Sequence, residues 1–131
     1  MGSGRGRPRA RRRRPVNDAD FCLEFQQAVE LIGRRWCGTI ARALLPGARR
    51  FTELRRAIPE ISDRALSQRL RELEAEGVVI RRVSTGPPVE VAYELSSKGR
   101  DLEQVIDGVE RWAHEWLGGS SPHHTYERAH P

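Results

Sequence analysis

Residues 50–82 contain two short helical stretches joined by a turn, and they constrain the fold more than any other part of the chain. Thr52 predicts the N-cap of the first helix, and Pro59 predicts its end, because the residue before a proline disfavours helical geometry. Ser62 predicts the N-cap of the second helix, and Gly77 supplies the left-handed residue that commonly ends a helix. The segment therefore predicts two helices that meet at a tight turn.

A β-hairpin is predicted directly after the second helix. Residues 78–83 and 89–95 are rich in β-branched and alternating side chains, and Gly86-Pro87-Pro88 between them predicts a turn. Two helices joined by a turn and followed by a hairpin, the wing, are typical of a winged helix-turn-helix domain, which binds DNA. The sequence therefore predicts a mainly α fold with a small β-hairpin.

The second helix has one apolar face and one polar face. Leu66, Leu70 and Leu73 recur at spacings of 4 and 3 residues, so we expect them to pack together. The opposite face suits a major groove, because arginine can bridge two acceptors of guanine and glutamine can pair with adenine. The alternative is an ordinary solvated helix face. The predicted DNA contacts are Ser62, Arg64, Ser67, Gln68 and Arg71, together with Arg50 and Arg82 beside the two helices.

The net charge of +5 is unevenly distributed along the chain. Of the 23 basic residues, seven arginines precede Pro15, which leaves 16 basic residues against all 18 acidic ones in the remainder. DNA binding by the remainder must therefore come from local arrangement, while the arginine-rich segment supplies long-range attraction. Such a basic and apolar-poor segment cannot bury enough surface to fold alone, so residues 1–17 are predicted to be a disordered arm.

Within this arm, the tetrapeptide Arg5-Gly6-Arg7-Pro8 resembles the core of an AT-hook, an element that enters the minor groove of A·T-rich DNA. Glycine allows close approach to the groove floor, and Arg5 and Arg7 would extend into its negative potential. The alternatives are an arm that contacts phosphates without base preference, and a spacer or membrane-surface segment.

Two apolar stripes, near either end of the domain, predict a homodimer. In the last helix, apolar residues recur at spacings of 3 and 4 from Leu102 to Trp116, and large aromatic side chains on such a seam require a partner. The alternative is that both stripes only face the core of the monomer. Residues 118–131 are predicted to be a flexible tail. The predicted interface residues are Phe21, Phe25, Val105, Val109, Trp112 and Trp116.

The sequence predicts no enzyme, no metal site and no cofactor. Cys22 and Cys37 form no disulfide framework, and no histidine has the spacing of a zinc ligand. No catalytic triad, phosphate-binding loop or recognisable pair of carboxylates stands out. There is also no apolar run of membrane-spanning length and no signal peptide, so a cytoplasmic protein without a membrane partner is expected.

Several motifs in collinear order resemble a known family. They are Leu31-Ile32-Gly33-Arg34-Arg35-Trp36, Arg50-Phe51-Thr52-Glu53-Leu54, residues 58–73, Glu76-Gly77-Val78-Val79, and residues 93–100. In this order they resemble the HxlR-type winged helix-turn-helix transcriptional regulators of bacteria and archaea. The resemblance implies a domain over residues 18–117 and a cytoplasmic, nucleoid-associated, dimeric repressor or activator. Its recognition helix would begin at Ser62.

Two positions depart from the family pattern. Val89-Glu90 stands where the wing usually carries a basic residue, and Cys22 is followed by leucine rather than proline. The resemblance implies that some members sense oxidants through this cysteine, which makes Cys22 a candidate redox sensor. A small-molecule effector, or none, is the alternative.

The predicted function is therefore sequence-specific binding of double-stranded DNA by a dimer at a pseudo-palindromic operator. The alternative is an architectural, nucleoid-type DNA-binding protein with little sequence specificity. In that case the basic arm would matter more than Arg64, Gln68 and Arg71.

Overall fold

The computed structural model describes residues 21–118, which form short helices and a small antiparallel sheet. The elements in chain order are α1 (Leu23–Gly33), α2 (Cys37–Leu44), β1 (Arg49–Arg50), α3 (Phe51–Ala57), α4 (Asp63–Ala75), β2 (Val79–Val83), β3 (Val91–Leu95), α5 (Ser97–Arg100), α6 (Glu103–Ala113) and a π-helical turn (His114–Gly118). Helices α3 and α4 are the predicted helix-turn-helix, and β2 with β3 is the predicted wing. The mainly α, winged helix-turn-helix fold is confirmed.

The chain divides into two units, with the boundary between Leu31 and Ile32. Of the first unit, the structure describes residues 21–31, which include most of α1. No residue of α1 is buried. The hydrophobic core belongs to the second unit.

The core is built mainly from one face each of α2 and α4. Helix α2 buries Ile40 and Leu44, and α4 buries Leu66, Leu70 and Leu73, as the leucine spacing predicts. Each leucine of α4 is at most 2% exposed. Full burial of such a side chain stabilises the fold by about 1.5–3 kcal/mol. The apolar face of α4 is therefore buried in the core of the domain, and the opposite face is exposed to solvent.

The N-cap of the first helix of the motif lies two residues earlier than the sequence predicts. Helix α3 starts at Phe51 with Arg50 as its N-cap, so the prediction of Thr52 as N-cap is wrong. The Glu53 carboxylate accepts a hydrogen bond from the backbone N–H of Arg50 at 2.7 Å and thereby satisfies a donor at the start of the helix. Arg50 is also extended and pairs with Ala92 of β3. The chain therefore passes from strand to helix without a turn.

The sheet has the strand order β1-β3-β2 within the described residues. In the wing, Val79 pairs with Leu95 and Val83 with Val91, so both strands are shorter than the predicted 78–83 and 89–95. Val78 is left out of the ladder because its N–H donates to the carbonyl of Leu73 at the end of α4. The short strand β1 was not predicted, since two residues carry no alternating pattern.

Two glycines allow the backbone to pass from α4 into the wing and on to α5. Gly77 has a φ of +80°, the left-handed geometry predicted for the residue after a helix. Gly99 lies so close to the wing that an added Cβ would be 2.2 Å from the carbonyl oxygen of Val78. Because no side chain fits there, glycine at position 99 allows α5 to lie close to the base of the wing.

Helix α6 does not continue as a regular α-helix through Trp116. It ends at Ala113, and residues 114–118 form a π-helical turn. A π turn has i to i+5 hydrogen bonds and more residues per turn, so Trp116 is rotated around the axis from its place in an ideal heptad seam. The predicted apolar stripe is therefore regular as far as Trp112 and offset beyond it.

Candidate nucleic-acid interface

The exposed side of α4 is the first part of the candidate interface. Ser62 is its N-cap, as predicted, and the Ser62 hydroxyl accepts a hydrogen bond from the N–H of Ala65 at 3.0 Å. An ion pair between Arg55 of α3 and Asp63 joins the two helices of the motif. The N-cap and the ion pair thus stabilise the N-terminal end of α4. In helix-turn-helix proteins, this end of the recognition helix contacts the bases in the major groove.

The predicted reading residues lie together on the solvent side of α4. Arg64, Gln68 and Arg71 are exposed, and Ser67 is half-buried beside them. Arg71 donates a hydrogen bond to the Ser67 hydroxyl at 3.4 Å. Arg64 has no ion pair or side-chain hydrogen bond with any residue of the range 21–118. Its guanidinium is therefore the group on this face that is most readily turned towards a ligand.

Arg50 and Arg82 lie on one face of the sheet and are paired with carboxylates. Arg50 contacts Glu90 at 3.3 Å, and Arg82 forms an ion pair with Glu94. The acidic residue at the wing, Glu90, is thus neutralised within the protein. A phosphate would have to compete with a carboxylate for each of these guanidinium groups, so a DNA contact by Arg50 or Arg82 stays a prediction.

Two further arginines of the sheet were not predicted as contacts. Arg49 and Arg81 are each in register with Tyr93, on the face opposite to Arg50 and Arg82. In the described part of the chain, neither forms an ion pair. The sequence signal that could have found them is the spacing of basic residues across the strands, but it requires β1, which the sequence did not predict.

The predicted dimer residues are exposed in the single chain. Phe21 is 65% and Phe25 is 67% exposed, while Trp112 is 58% and Trp116 is 69% exposed. Along α6, Ile106 is buried, whereas Val105 and Val109 are open to solvent. Helix α6 therefore packs on one side and leaves an apolar stripe on the other.

An ion pair connects α6 to α2. Two nitrogens of Arg42 donate hydrogen bonds to the two oxygens of Glu110, at 3.1 and 2.5 Å. This hydrogen bonding lowers the pKa of Glu110 and raises that of Arg42, since each charged form is stabilised by the other. The bidentate contact therefore links the exposed surfaces of α6 and α2.

The two cysteines lie in different environments. Cys37 is 2% exposed, and burial raises the pKa of its thiol. Cys22 is half-buried just before α1, where its sulfur accepts a hydrogen bond from the Phe25 N–H at 3.3 Å. The thiol also donates to the Glu24 carboxylate at 3.5 Å. Cys22 is therefore the more accessible thiol, and its redox role stays a prediction.

Other predictions fall outside the described residues or concern sites of other kinds. The arm, with Arg5 and Arg7, and the tail beyond Gly118 lie outside the described range.

Among residues 21–118, no three His, Cys, Asp or Glu side chains are grouped so that they could hold a metal ion. In the same range, no helix is both long enough and apolar enough to cross a membrane.

Comparisons with known proteins agree with this geometry. A family model described as HxlR-like helix-turn-helix matches residues 31–121. The HTH-type transcriptional regulator YvaP of Bacillus subtilis (strain 168) is 41% identical over 105 residues, which cover 80% of this chain and 97% of that protein.

Two solved structures are similar over most of the chain. The reduced form of the transcriptional regulator YodB from B. subtilis has a TM-score of 0.70 and 37% identity, and it covers 77% of this chain and 99% of that one. The redox regulator HypR in its reduced form has a TM-score of 0.65 and 37% identity, over 69% of this chain and 89% of that one. The resemblance found in the sequence is therefore confirmed: this chain is a DNA-binding, winged helix-turn-helix transcriptional regulator that belongs to the HxlR-like helix-turn-helix family.

Proposed function

We propose that the protein binds a pseudo-palindromic operator as a homodimer, with α4 in the major groove of each half-site. The observation that carries this proposal is the division of α4 into a buried leucine face and an exposed face with Arg64, Gln68 and Arg71. These side chains match the donor and acceptor patterns of guanine and adenine. The capped N-terminus of α4 supports the same orientation, since recognition helices contact bases with their N-terminal residues.

The dimer part of the proposal is supported by the apolar side chains at both ends of the domain. Val109, Trp112 and Trp116 are each more than half exposed in the single chain. Several large apolar side chains exposed near one another in the sequence indicate an association site, because exposed apolar surface is unfavourable in water. A two-fold dimer would present two copies of α4, and the operator would repeat that symmetry.

Base reading by α4 predicts that single arginine changes reduce specific binding. Arg64→Ala or Arg71→Ala should weaken binding to the operator by about 1–3 kcal/mol, because each removes a bidentate contact to a base. Binding to random DNA should change far less, since phosphate contacts elsewhere persist. Competition titrations of operator against random duplex measure both affinities.

Arg111→Ala is the matched control for these titrations. It also removes one positive charge from an exposed helix position, but on α6 rather than α4. Its operator affinity should stay close to that of the unchanged protein. Equal losses on operator and random DNA for Arg64→Ala and Arg71→Ala would contradict base reading by this face.

For an effector, we propose that oxidants act through Cys22. The similarity to HypR, which is named a redox regulator, supports this role, and so does the accessible sulfur before α1. Mild oxidation should then change operator affinity, and Cys22→Ser should abolish the response while reduced-state binding persists. Cys37→Ser is the control, since a buried thiol is not expected to react. An oxidant response retained by Cys22→Ser would remove Cys22 from the mechanism.

The second candidate function is an architectural DNA-binding protein. The seven arginines before Pro15 favour it, because a cationic segment binds phosphates regardless of sequence. Such a protein would bind random and genomic duplexes with similar affinity. Selection of bound genomic fragments separates the two functions, since only a sequence-specific regulator enriches a shared motif.

A further inference from the structure

We propose that Glu72 is a positioning residue that orients the side-chain amide of Gln68 for adenine. This inference rests on the proposed reading of bases by α4 and adds a residue that does not itself touch DNA. It starts from the hydrogen bond between Gln68 Nε2 and Glu72 Oε2, which are 3.3 Å apart. The two residues are one helical turn apart and so lie on the same side of α4.

The Glu72 carboxylate is itself held in place by two arginines. Arg69 donates to both of its oxygens at 3.2 Å. Arg34, from the segment between α1 and α2, contacts Oε1 at 3.3 Å. Arg69 is anchored in turn, because its Nε donates to the backbone carbonyl of Arg35 at 3.0 Å. The acceptor offered to Gln68 is therefore held by both arginines and does not swing freely.

A fixed carboxylate determines which way the glutamine amide points. An ionised carboxylate only accepts hydrogen bonds, so the amide must turn its NH₂ group towards Glu72 and its carbonyl oxygen away. One N–H of the amide is used by Glu72, which leaves one N–H and the carbonyl oxygen. One donor beside one acceptor is the pattern that pairs with N7 and the N6 amino group of adenine.

This orientation also reduces the conformational entropy that Gln68 loses when it binds a base. An exposed glutamine has several rotamers and two amide orientations, and ordering them on DNA opposes binding. Because Glu72 already selects one orientation in the free protein, less ordering remains for the complex. The side chain of Gln68 is therefore expected to discriminate adenine more sharply than an unsupported glutamine.

The test compares base discrimination in three variants. Gln68→Ala first identifies the half-site position that Gln68 reads, as the position where preference disappears. Glu72→Gln should then reduce adenine-over-guanine discrimination at that same position by about tenfold, since an amide can face Gln68 in either orientation. Discrimination at the positions read by other residues should be unchanged. Each base of the operator is replaced in turn, and the dissociation constants are measured.

Glu74→Gln is the matched control, because it makes the same change at an exposed position of α4 and leaves the contacts among Glu72, Gln68, Arg69 and Arg34 in place. It should retain discrimination at the Gln68 position. Full discrimination in Glu72→Gln, or a uniform loss at every position, would overturn the role of Glu72. If Gln68→Ala itself changes no preference, the proposed reading by Gln68 fails instead, so the two failures are distinguishable.

The orientation of the Gln68 amide can also be measured in the unchanged protein, which does not depend on whether Glu72→Gln folds. In the NMR spectrum without DNA, one Nε2 proton of Gln68 should be shifted downfield by the carboxylate, so that the two protons lie farther apart than those of a solvent-exposed glutamine amide. Two protons at the positions of a solvent-exposed glutamine amide would contradict the orientation.

Discussion

Replacing both Trp112 and Trp116 with alanine is expected to convert the proposed dimer into a folded monomer. Both side chains are more than half exposed in the single chain, so their truncation removes little from the monomer core. In the dimer they would be buried, and truncation of a buried tryptophan costs about 3–5 kcal/mol. The two changes together would therefore weaken association by several orders of magnitude.

Sedimentation velocity measures this change, and circular dichroism shows whether the monomer is still folded. Ile106 and the Arg42–Glu110 pair should keep α6 on the domain after the change. Val89→Ala is a control, since it truncates an apolar side chain of the wing that is 67% exposed. A stable dimer after both tryptophan changes would place the interface elsewhere.

Deleting residues 1–14 should cause the largest change in the salt dependence of binding. The deletion removes seven arginines and leaves a chain with more acidic than basic residues. Each phosphate that the protein no longer neutralises reduces the log-log slope of affinity against salt by about 0.9. The base sequence selected in the half-sites should stay the same, because α4 is untouched.

The double change Arg5→Ala with Arg7→Ala separates a minor-groove hook from an arm that only contacts phosphates. A hook predicts that the double change erases any preference for A·T-rich flanks, because both arginines enter the narrow groove. Arg11→Ala with Arg12→Ala removes the same charge outside the tetrapeptide and should preserve that preference. An unchanged salt slope after deletion of the arm would show that it does not touch DNA.

The two helices of the helix-turn-helix could be predicted from the sequence because their signals are local. Ser62 caps α4 through its own hydroxyl, and Gly77 ends the helix through its own backbone freedom. The spacing of three leucines fixes which face of α4 is buried. Each of these determinants lies within a few residues of the structure it controls.

The parts that could not be predicted depend on residues far apart in the chain. The two-residue strand β1 exists because Arg49 and Arg50 pair with β3 more than 40 residues later. That pairing also moves the N-cap of α3 from Thr52 to Arg50. The same holds for Arg82, whose charge is balanced by Glu94 on the neighbouring strand.

The network around Glu72 is hidden from the sequence for a similar reason. Its contacts with Gln68 and Arg69 follow from helical spacing, but Arg34 reaches it across 38 positions. In a sequence without a structure, Glu72 is one more charged residue on a solvated helix. Only the packing of the segment after α1 beside α4 shows that its carboxylate is held.

Selection of bound fragments from genomic DNA with the purified full chain would show whether the protein reads a specific sequence as a dimer. We predict a pseudo-palindromic motif with half-sites about one helical turn apart, or a multiple of this. The motif should disappear when Arg64 and Arg71 are both replaced by alanine. If the recovered fragments shared no motif, and the double variant gave the same yield, sequence-specific reading would be contradicted. That result would favour an architectural protein.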